Sequence, residues 1–176
     1  MIVELMGKPA FLSDIKYGDF FYGQMGDQVR PCIKAFVVEN ESDLIDYVVA
    51  FTPADRDPAE LPRLYDNKAL RSTSAYRISA PYFRHTVSDN TLLLKTEYWP
   101  KPGILIESSE ASFLTIKSGR MAHNILYLNV GTGELVSSPP KAPFAFVTEW
   151  QILVQHGEKE QVLVNFPAFR EMAVGF

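Results

Sequence analysis

Cysteine, long apolar runs and a basic start are all missing or scarce in this chain of 176 residues, and each scarcity excludes a class of protein. Cys32 is the only cysteine, so no disulfide can form within the chain and a reducing compartment is expected. No apolar run reaches the ~18 residues of a membrane-spanning helix. The first residues have neither the basic start nor the apolar core of a secretory signal. We therefore expect a cytoplasmic protein with no membrane partner.

Motifs for metals, cofactors and covalent catalysis are also missing. The three histidines and the single cysteine lack the paired spacing of structural zinc ligands. There is no G-x-S-x-G nucleophile elbow and no phosphate-binding glycine motif. Gly131-Thr132-Gly133 is the only G-x-G and is typical of a hairpin turn. The sequence therefore predicts neither a metal site nor a cofactor.

Aromatic residues, by contrast, are abundant at 12% and suit the pleated, half-buried surface of a β-sheet. Residues 144–155 alternate over their whole length, with Phe146, Trp150 and Ile152 on one face. This period of two predicts a long strand. A turn at 156–159 and a returning strand at 161–166 complete a predicted hairpin.

Similar patterns predict strands along the rest of the chain. The first three form an antiparallel meander at 19–25, 31–39 and 44–52. Further strands are expected at 82–87, 91–98, 103–107, 112–117, 121–130 and 134–137. The predicted fold is all-β and mainly antiparallel, a barrel or sandwich of about 10 to 12 strands. At most one or two short helices are expected, around 58–66 and 168–173.

Domain organisation is predicted to be a single β domain over residues 1–176. A long polar insertion at about 53–80 interrupts the strand rhythm with three prolines and a Ser-Thr-Ser run. The alternative interpretation of that segment is a linker that follows an N-terminal barrel, but residues 1–52 would make a marginal barrel on their own.

The N-terminal strands carry a family resemblance. Residues 15–22 read IKYGDFFY and residues 29–33 read VRPCI. This pair of segments resembles the opening of PemK/MazF-type toxins, small SH3-like barrels that cleave RNA. The resemblance covers only these segments and rests on two dipeptides, Gly-Asp and Arg-Pro, so it does not imply membership. It implies a barrel-like N-terminal meander.

Charge is distributed unevenly, although the net charge is only −4 and so disfavours nucleic acid as a partner. An acidic stretch at 38–60 is followed by a basic stretch at 61–87. In the basic stretch, Arg71, Arg77 and Arg84 are candidate anion-binding residues. His85 is the candidate catalytic acid or base. Alternatively, the two stretches neutralise each other across a solvated surface.

Three functions follow as hypotheses. The leading one is a non-enzymatic binding or assembly module that acts as a homo-oligomer or with a protein partner. The second is a hydrolase or nuclease-like enzyme that acts on a phosphate-bearing or acidic substrate, with a small anionic ligand held by the arginines. The third is a β-barrel that holds a small apolar ligand.

Overall fold

The computed structural model describes residues 7–40, 43–51, 62–85, 92–93, 102–118, 125–138 and 144–167. Strands account for 68% of it, which confirms the all-β, mainly antiparallel prediction. The strands are Lys8–Phe11 (β1), Phe20–Met25 (β2), Gln28–Asn40 (β3), Asp43–Ala50 (β4), Arg63–Asp66 (β5), Ser74–Arg77 (β6), Pro81–His85 (β7), Leu92–Leu93 (β8), Leu105–Ser108 (β9), Ser112–Lys117 (β10), Ile125–Asn129 (β11), Leu135–Val136 (β12), Phe144–Val147 (β13), Glu149–His156 (β14) and Lys159–Pro167 (β15). Single 3-10 turns lie at Leu12–Asp14 and Asn67–Ala69.

The strands form two sheets. The larger one has the order β1-β6-β2-β3-β4-β5-β10-β9-β13-β8, with β11 paired to β10 and β12 paired to β11. The smaller one has the order β15-β14-β7. The larger sheet curls until Glu134 forms an isolated bridge to Phe36, but it does not close. The architecture is sandwich-like, so the closed-barrel alternative is wrong.

The predicted meander and hairpin are both confirmed. Antiparallel ladders join β2 to β3 and β3 to β4. The β14–β15 hairpin turns at Gly157, whose positive φ of 61° suits glycine. However, the single strand predicted over 144–155 is two strands. The chain leaves the larger sheet after Val147, passes through the buried Thr148, and enters the smaller sheet as β14.

The segment assigned to a polar insertion supplies ordered strands to the larger sheet. β5 pairs with β4, and β6 lies between β1 and β2. The prediction of a helix around 58–66 is wrong for Arg63–Asp66, where the chain is extended because its backbone pairs with β4. The helix expected at 168–173 lies outside the described residues.

Aromatic side chains join the two sheets in the main core. Trp150 of β14 is 2% exposed and stacks on Phe166 of β15 at 5.0 Å between ring centroids. It also packs edge-on against Phe51, 6.3 Å away at the end of β4. Its indole N–H donates to the Gly103 carbonyl at 2.8 Å, which satisfies the one polar atom that the ring buries. The core therefore sits between the sheets and includes residues of both.

Candidate functional site

The structure separates the four residues that the sequence singled out. Arg77 and His85 line one cleft. Arg71 lies at the turn before β6 and bonds Asp27 at 3.0 Å. Arg84 projects from β7 and bonds Glu160 of β15 at 2.8 Å and the Gln151 amide oxygen at 3.0 Å. Arg71 and Arg84 are not among the residues that line the cleft, so the four side chains do not converge on one site.

Each of the three arginines has a carboxylate partner. Arg77 makes the most directional pair, because its Nε and Nη2 donate to both oxygens of Asp19 at 3.0 and 3.2 Å. Asp19 also accepts the backbone N–H of Lys16, so the carboxylate is held from two sides. The Arg71–Asp27 pair is solvent-exposed at 63% and 95% and therefore contributes little to stability. All three carboxylate partners lie outside the acidic stretch at 38–60, so these ion pairs do not join the acidic and basic stretches to each other.

The cleft has a volume of about 1150 Å³ and is built by four segments of the chain, together with Lys8 of β1. One wall is the connection from β6 to β7. The remainder comes from the β9–β10 turn, the β11–β12 turn, and the residues that lead into β2. The lining residues are Lys8, Gly18, Asp19, Phe20, Arg77, Ile78, Ser79, Ala80, Pro81, Tyr82, Phe83, His85, Glu107, Glu110, Ala111, Ser112, Asn129, Val130, Gly131 and Thr132.

Charged groups of both signs line this cleft. The basic groups, Lys8 and Arg77, come from the paired strands β1 and β6. Glu107 and Glu110 belong to β9 and the turn that follows it. Glu107 accepts a hydrogen bond from the Ser112 hydroxyl at 2.6 Å. Among the described residues, neither the Lys8 ammonium nor the Glu110 carboxylate has a hydrogen-bond or ion-pair partner.

Catalytic features in the described residues are few. The exposed ring of His85 has no hydrogen-bond partner among them, and its backbone pairs with that of Trp150. Burial raises the pKa of the Cys32 thiol to about 12, which keeps it protonated and unreactive at neutral pH. No group of three or more His, Cys, Asp or Glu side chains that would suit a metal ion occurs in the described part of the chain.

A strained backbone position lies in the cleft wall. Ala80 has φ of 47°, the one positive φ at a non-glycine residue among the described residues. The conformation costs an L-residue about 1 to 2 kcal/mol. Such positions cluster at functional sites, where the surrounding structure holds them in place.

A second feature is an uncharged face of the larger sheet, which we call the β1 face. Phe11, Val29 and Tyr76 are exposed at 64%, 51% and 40%. Residues directly opposite each other in a ladder share a face of the sheet, and so do residues two apart in one strand. Val29 lies opposite Gln24 of β2, and Tyr22, two residues before Gln24, lies opposite Tyr76 of β6. Tyr76 in turn lies opposite Pro9 of β1, and Ser74 lies opposite Phe11, so Phe11, Val29 and Tyr76 share one face. The β1 face consists of Pro9, Phe11, Gln24, Val29, Ser74 and Tyr76.

Sequence reasoning missed the residues that complete both features. Lys8 and Phe11 lie in a four-residue strand that was not predicted, and no local pattern marks them. Glu110 follows the Ser108-Ser109 pair, which signals a turn but gives no indication of what the turn faces. The β1 face depends on pairing between strands that are distant in the chain.

Comparison with known proteins found no match. No family model matches the chain, and neither a curated protein nor a solved structure matches it. Within the described residues, no helix has the length and apolar character needed to cross a membrane.

Proposed function

We propose that this protein is a non-enzymatic interaction module that associates with a second copy of itself through the β1 face. One observation carries the proposal: three of the six large apolar side chains that are exposed in the described residues share this face. Scattered exposed apolar residues are ordinary on a protein surface, whereas a shared face is typical of an interaction site.

The absence of charge on the β1 face supports a second copy as the occupant. The six residues of the face carry no formal charge, so two copies meet without repulsion between like charges. A contact about a two-fold axis uses the same patch on both subunits and requires this kind of self-compatibility. The aromatic and aliphatic side chains then fill the centre, and Gln24 and Ser74 supply hydrogen-bonding groups.

The edge of β1 is unsuited to association by strand addition, which favours docking on the face. β1 has four residues and contains Lys8 and Pro9. Short edge strands that contain lysine and proline are protected against pairing with another strand, because proline has no N–H to donate. Contact through the side chains of the face does not require these backbone groups.

Sedimentation velocity over a range of concentrations tests the proposal. The wild-type protein is expected to sediment as a monomer–dimer equilibrium. Phe11→Ser combined with Val29→Ser should raise the dissociation constant at least about tenfold, equivalent to ~1.4 kcal/mol, because two buried apolar contacts per subunit are lost. All substituted side chains are exposed, so the variant is expected to remain folded.

A matched control comes from the β3–β4 hairpin. Val38 of β3 and Leu44 of β4 lie opposite each other there and are exposed at 47% and 48%. Val38 is nine residues along β3 from Val29, so this pair lies far from the β1 face. Val38→Ser with Leu44→Ser removes a similar apolar area and should leave the dimer unchanged. A wild-type protein that is strictly monomeric at all concentrations contradicts the proposal, and so does equal weakening by both double variants.

The two alternative functions have less support. The hydrolase hypothesis retains Arg77 and His85 in one cleft, but Arg71 and Arg84 are engaged elsewhere. The apolar-ligand hypothesis relied on a barrel interior, and the described sheets form a sandwich whose core is filled by aliphatic and aromatic side chains.

A further inference from the structure

We propose that the cleft is a binding site for a small zwitterion, such as a short peptide with free termini. The Glu110 carboxylate would bind its ammonium group and the Lys8 ammonium would bind its carboxylate. This inference is independent of self-association, because it rests on residues that are not part of the β1 face.

The charges within the cleft determine which ligand class fits. Arg77 and Asp19 neutralise each other through two hydrogen bonds. Glu107 is partly satisfied by the Ser112 hydroxyl. Lys8 and Glu110 are the charged groups left without a described partner, and they do not form an ion pair with each other although they line the same cleft. A simple anion would meet uncompensated carboxylates, whereas a zwitterion offers a partner to each group.

The uncharged part of the lining suits the body of such a ligand. Phe83 of β7 is a half-buried apolar residue of the lining, and Phe20 and Ile78 behind it belong to the core, at 5% and 3% exposure. Clefts that bind small molecules combine an apolar lining with a few polar groups that fix orientation. The volume of about 1150 Å³ accommodates a dipeptide or tripeptide.

Isothermal titration calorimetry with leucyl-leucine and two capped forms tests the proposal. N-acetylation removes the ammonium group, and C-terminal amidation removes the carboxylate. The free dipeptide is expected to bind, and each capped form is expected to bind at least about tenfold more weakly, as the loss of one charge-assisted contact predicts. No binding of the free dipeptide, or equal binding of all three, overturns the proposal.

Substitutions then test which residue of the cleft binds each end of the ligand. Glu110→Gln should weaken leucyl-leucine but not its N-acetylated form, and Lys8→Gln should weaken leucyl-leucine but not its amide. Glu158→Gln is the matched control, because Glu158 is an exposed acid in the β14–β15 turn and does not line the cleft. If Glu110→Gln and Glu158→Gln weaken binding equally, the carboxylate acts only through the net charge of the protein and the assignment is wrong.

Discussion

Contacts on both sides of Ala80 hold its backbone in a strained conformation. Ala80 has φ of 47° and is followed by Pro81, the first residue of β7. The fixed φ of proline sets the direction in which the chain enters the smaller sheet. Ile78 is buried, and its N–H bonds the Phe20 carbonyl at 2.9 Å, so the chain is anchored on both sides of Ala80. The strain at Ala80 is therefore held in place by contacts made elsewhere.

Replacing Ala80 with glycine tests whether the strain is real. Glycine adopts positive φ freely, so Ala80→Gly should be neutral or should stabilise the protein by up to about 1 kcal/mol, after the entropic cost of glycine in the unfolded chain. Ala75→Gly is the control, because Ala75 is 4% exposed in β6 and loses a buried methyl group. That variant should destabilise by about 1 kcal/mol or more. Urea denaturation measures both, and equal destabilisation would contradict the account.

Tyr17 predicts a dependence of stability on alkaline pH. Its hydroxyl donates to Asp46 of β4, and this hydrogen bond, together with burial, raises the pKa of Tyr17 from 10.0 to about 12. The folded state therefore holds the phenolic proton more tightly than the unfolded state does. This contribution is complete below pH 10 and is lost as the pH rises towards 12.

Urea denaturation between pH 8 and pH 11 measures this effect. Tyr17→Phe should lower stability at pH 8 and should make its decline above pH 10 shallower. The decline should not vanish, because burial raises the pKa of Cys32 from 9.0 to about 12 and also raises the pKa values of Tyr22 and Tyr127, and each of these shifts adds a loss of the same sign. A Cys32→Ala variant removes the contribution of Cys32. An unchanged slope in Tyr17→Phe would show that the Asp46 hydrogen bond does not form.

At the scale of elements, tight packing of glycines fixes how the β11–β12 turn meets β3. Gly133 has φ of 78°, and its carbonyl accepts the N–H of Phe36 at 2.9 Å. A Cβ at this position would lie 2.4 Å from the Gly18 nitrogen and 2.7 Å from the Lys34 carbonyl oxygen. Because backbone atoms cannot yield as flexible side chains do, the curl of the larger sheet depends on this glycine.

Gly133→Ala is accordingly expected to destabilise the protein by at least about 3 kcal/mol, from the left-handed backbone and the backbone clash together. Gly26→Ala provides a comparison, since Gly26 also has positive φ, at 62°, but a Cβ there meets nothing within 4 Å. Gly26→Ala should lower the free energy of unfolding by only about 1 to 2 kcal/mol. Chemical denaturation of the two variants distinguishes the clash from backbone conformation, and similar losses would contradict the packing described for Gly133.

Strands with strong alternation could be predicted from the sequence, and their partners could not. The β14–β15 hairpin followed from alternation in residues 144–155 and a turn at Gly157. The transfer of the chain between sheets at Thr148 has no local signal, because alternation reports two faces and not which strand lies alongside. β5 and β6 have four residues each with mixed polarity, so their strand conformation comes from pairing with distant strands.

The candidate sites were harder to predict, for a related reason. Linear charge runs drew attention to Arg71 and Arg84, whose carboxylate partners Asp27 and Glu160 lie 44 and 76 residues away. The cleft instead draws Lys8 and Glu110 from opposite parts of the chain. Three-dimensional pairing decides which charges remain available to a ligand, and sequence proximity does not contain that information.

At the scale of the whole molecule, one sandwich presents two separate features on a rigid frame. Trp150 and its aromatic neighbours join the sheets, and the cleft residues Phe20 and Ile78 belong to this core. In β1 and β6, which carry Phe11 and Tyr76 of the β1 face, Ala10 and Ala75 pack instead in a second cluster with Phe21 and Cys32. The proposed dimer uses the uncharged β1 face, whereas the cleft uses charged groups. This division allows association and ligand binding to be altered independently by substitution.

Hydrogen–deuterium exchange at low and high protein concentration tests the central claim of self-association most directly, because it locates the contact as well as detecting it. Peptides that contain Phe11, Val29 and Tyr76 should exchange more slowly at high concentration in the wild-type protein. The β14–β15 hairpin should exchange at the same rate at both concentrations. Exchange independent of concentration throughout the chain, or slowing confined to other strands, would contradict the account.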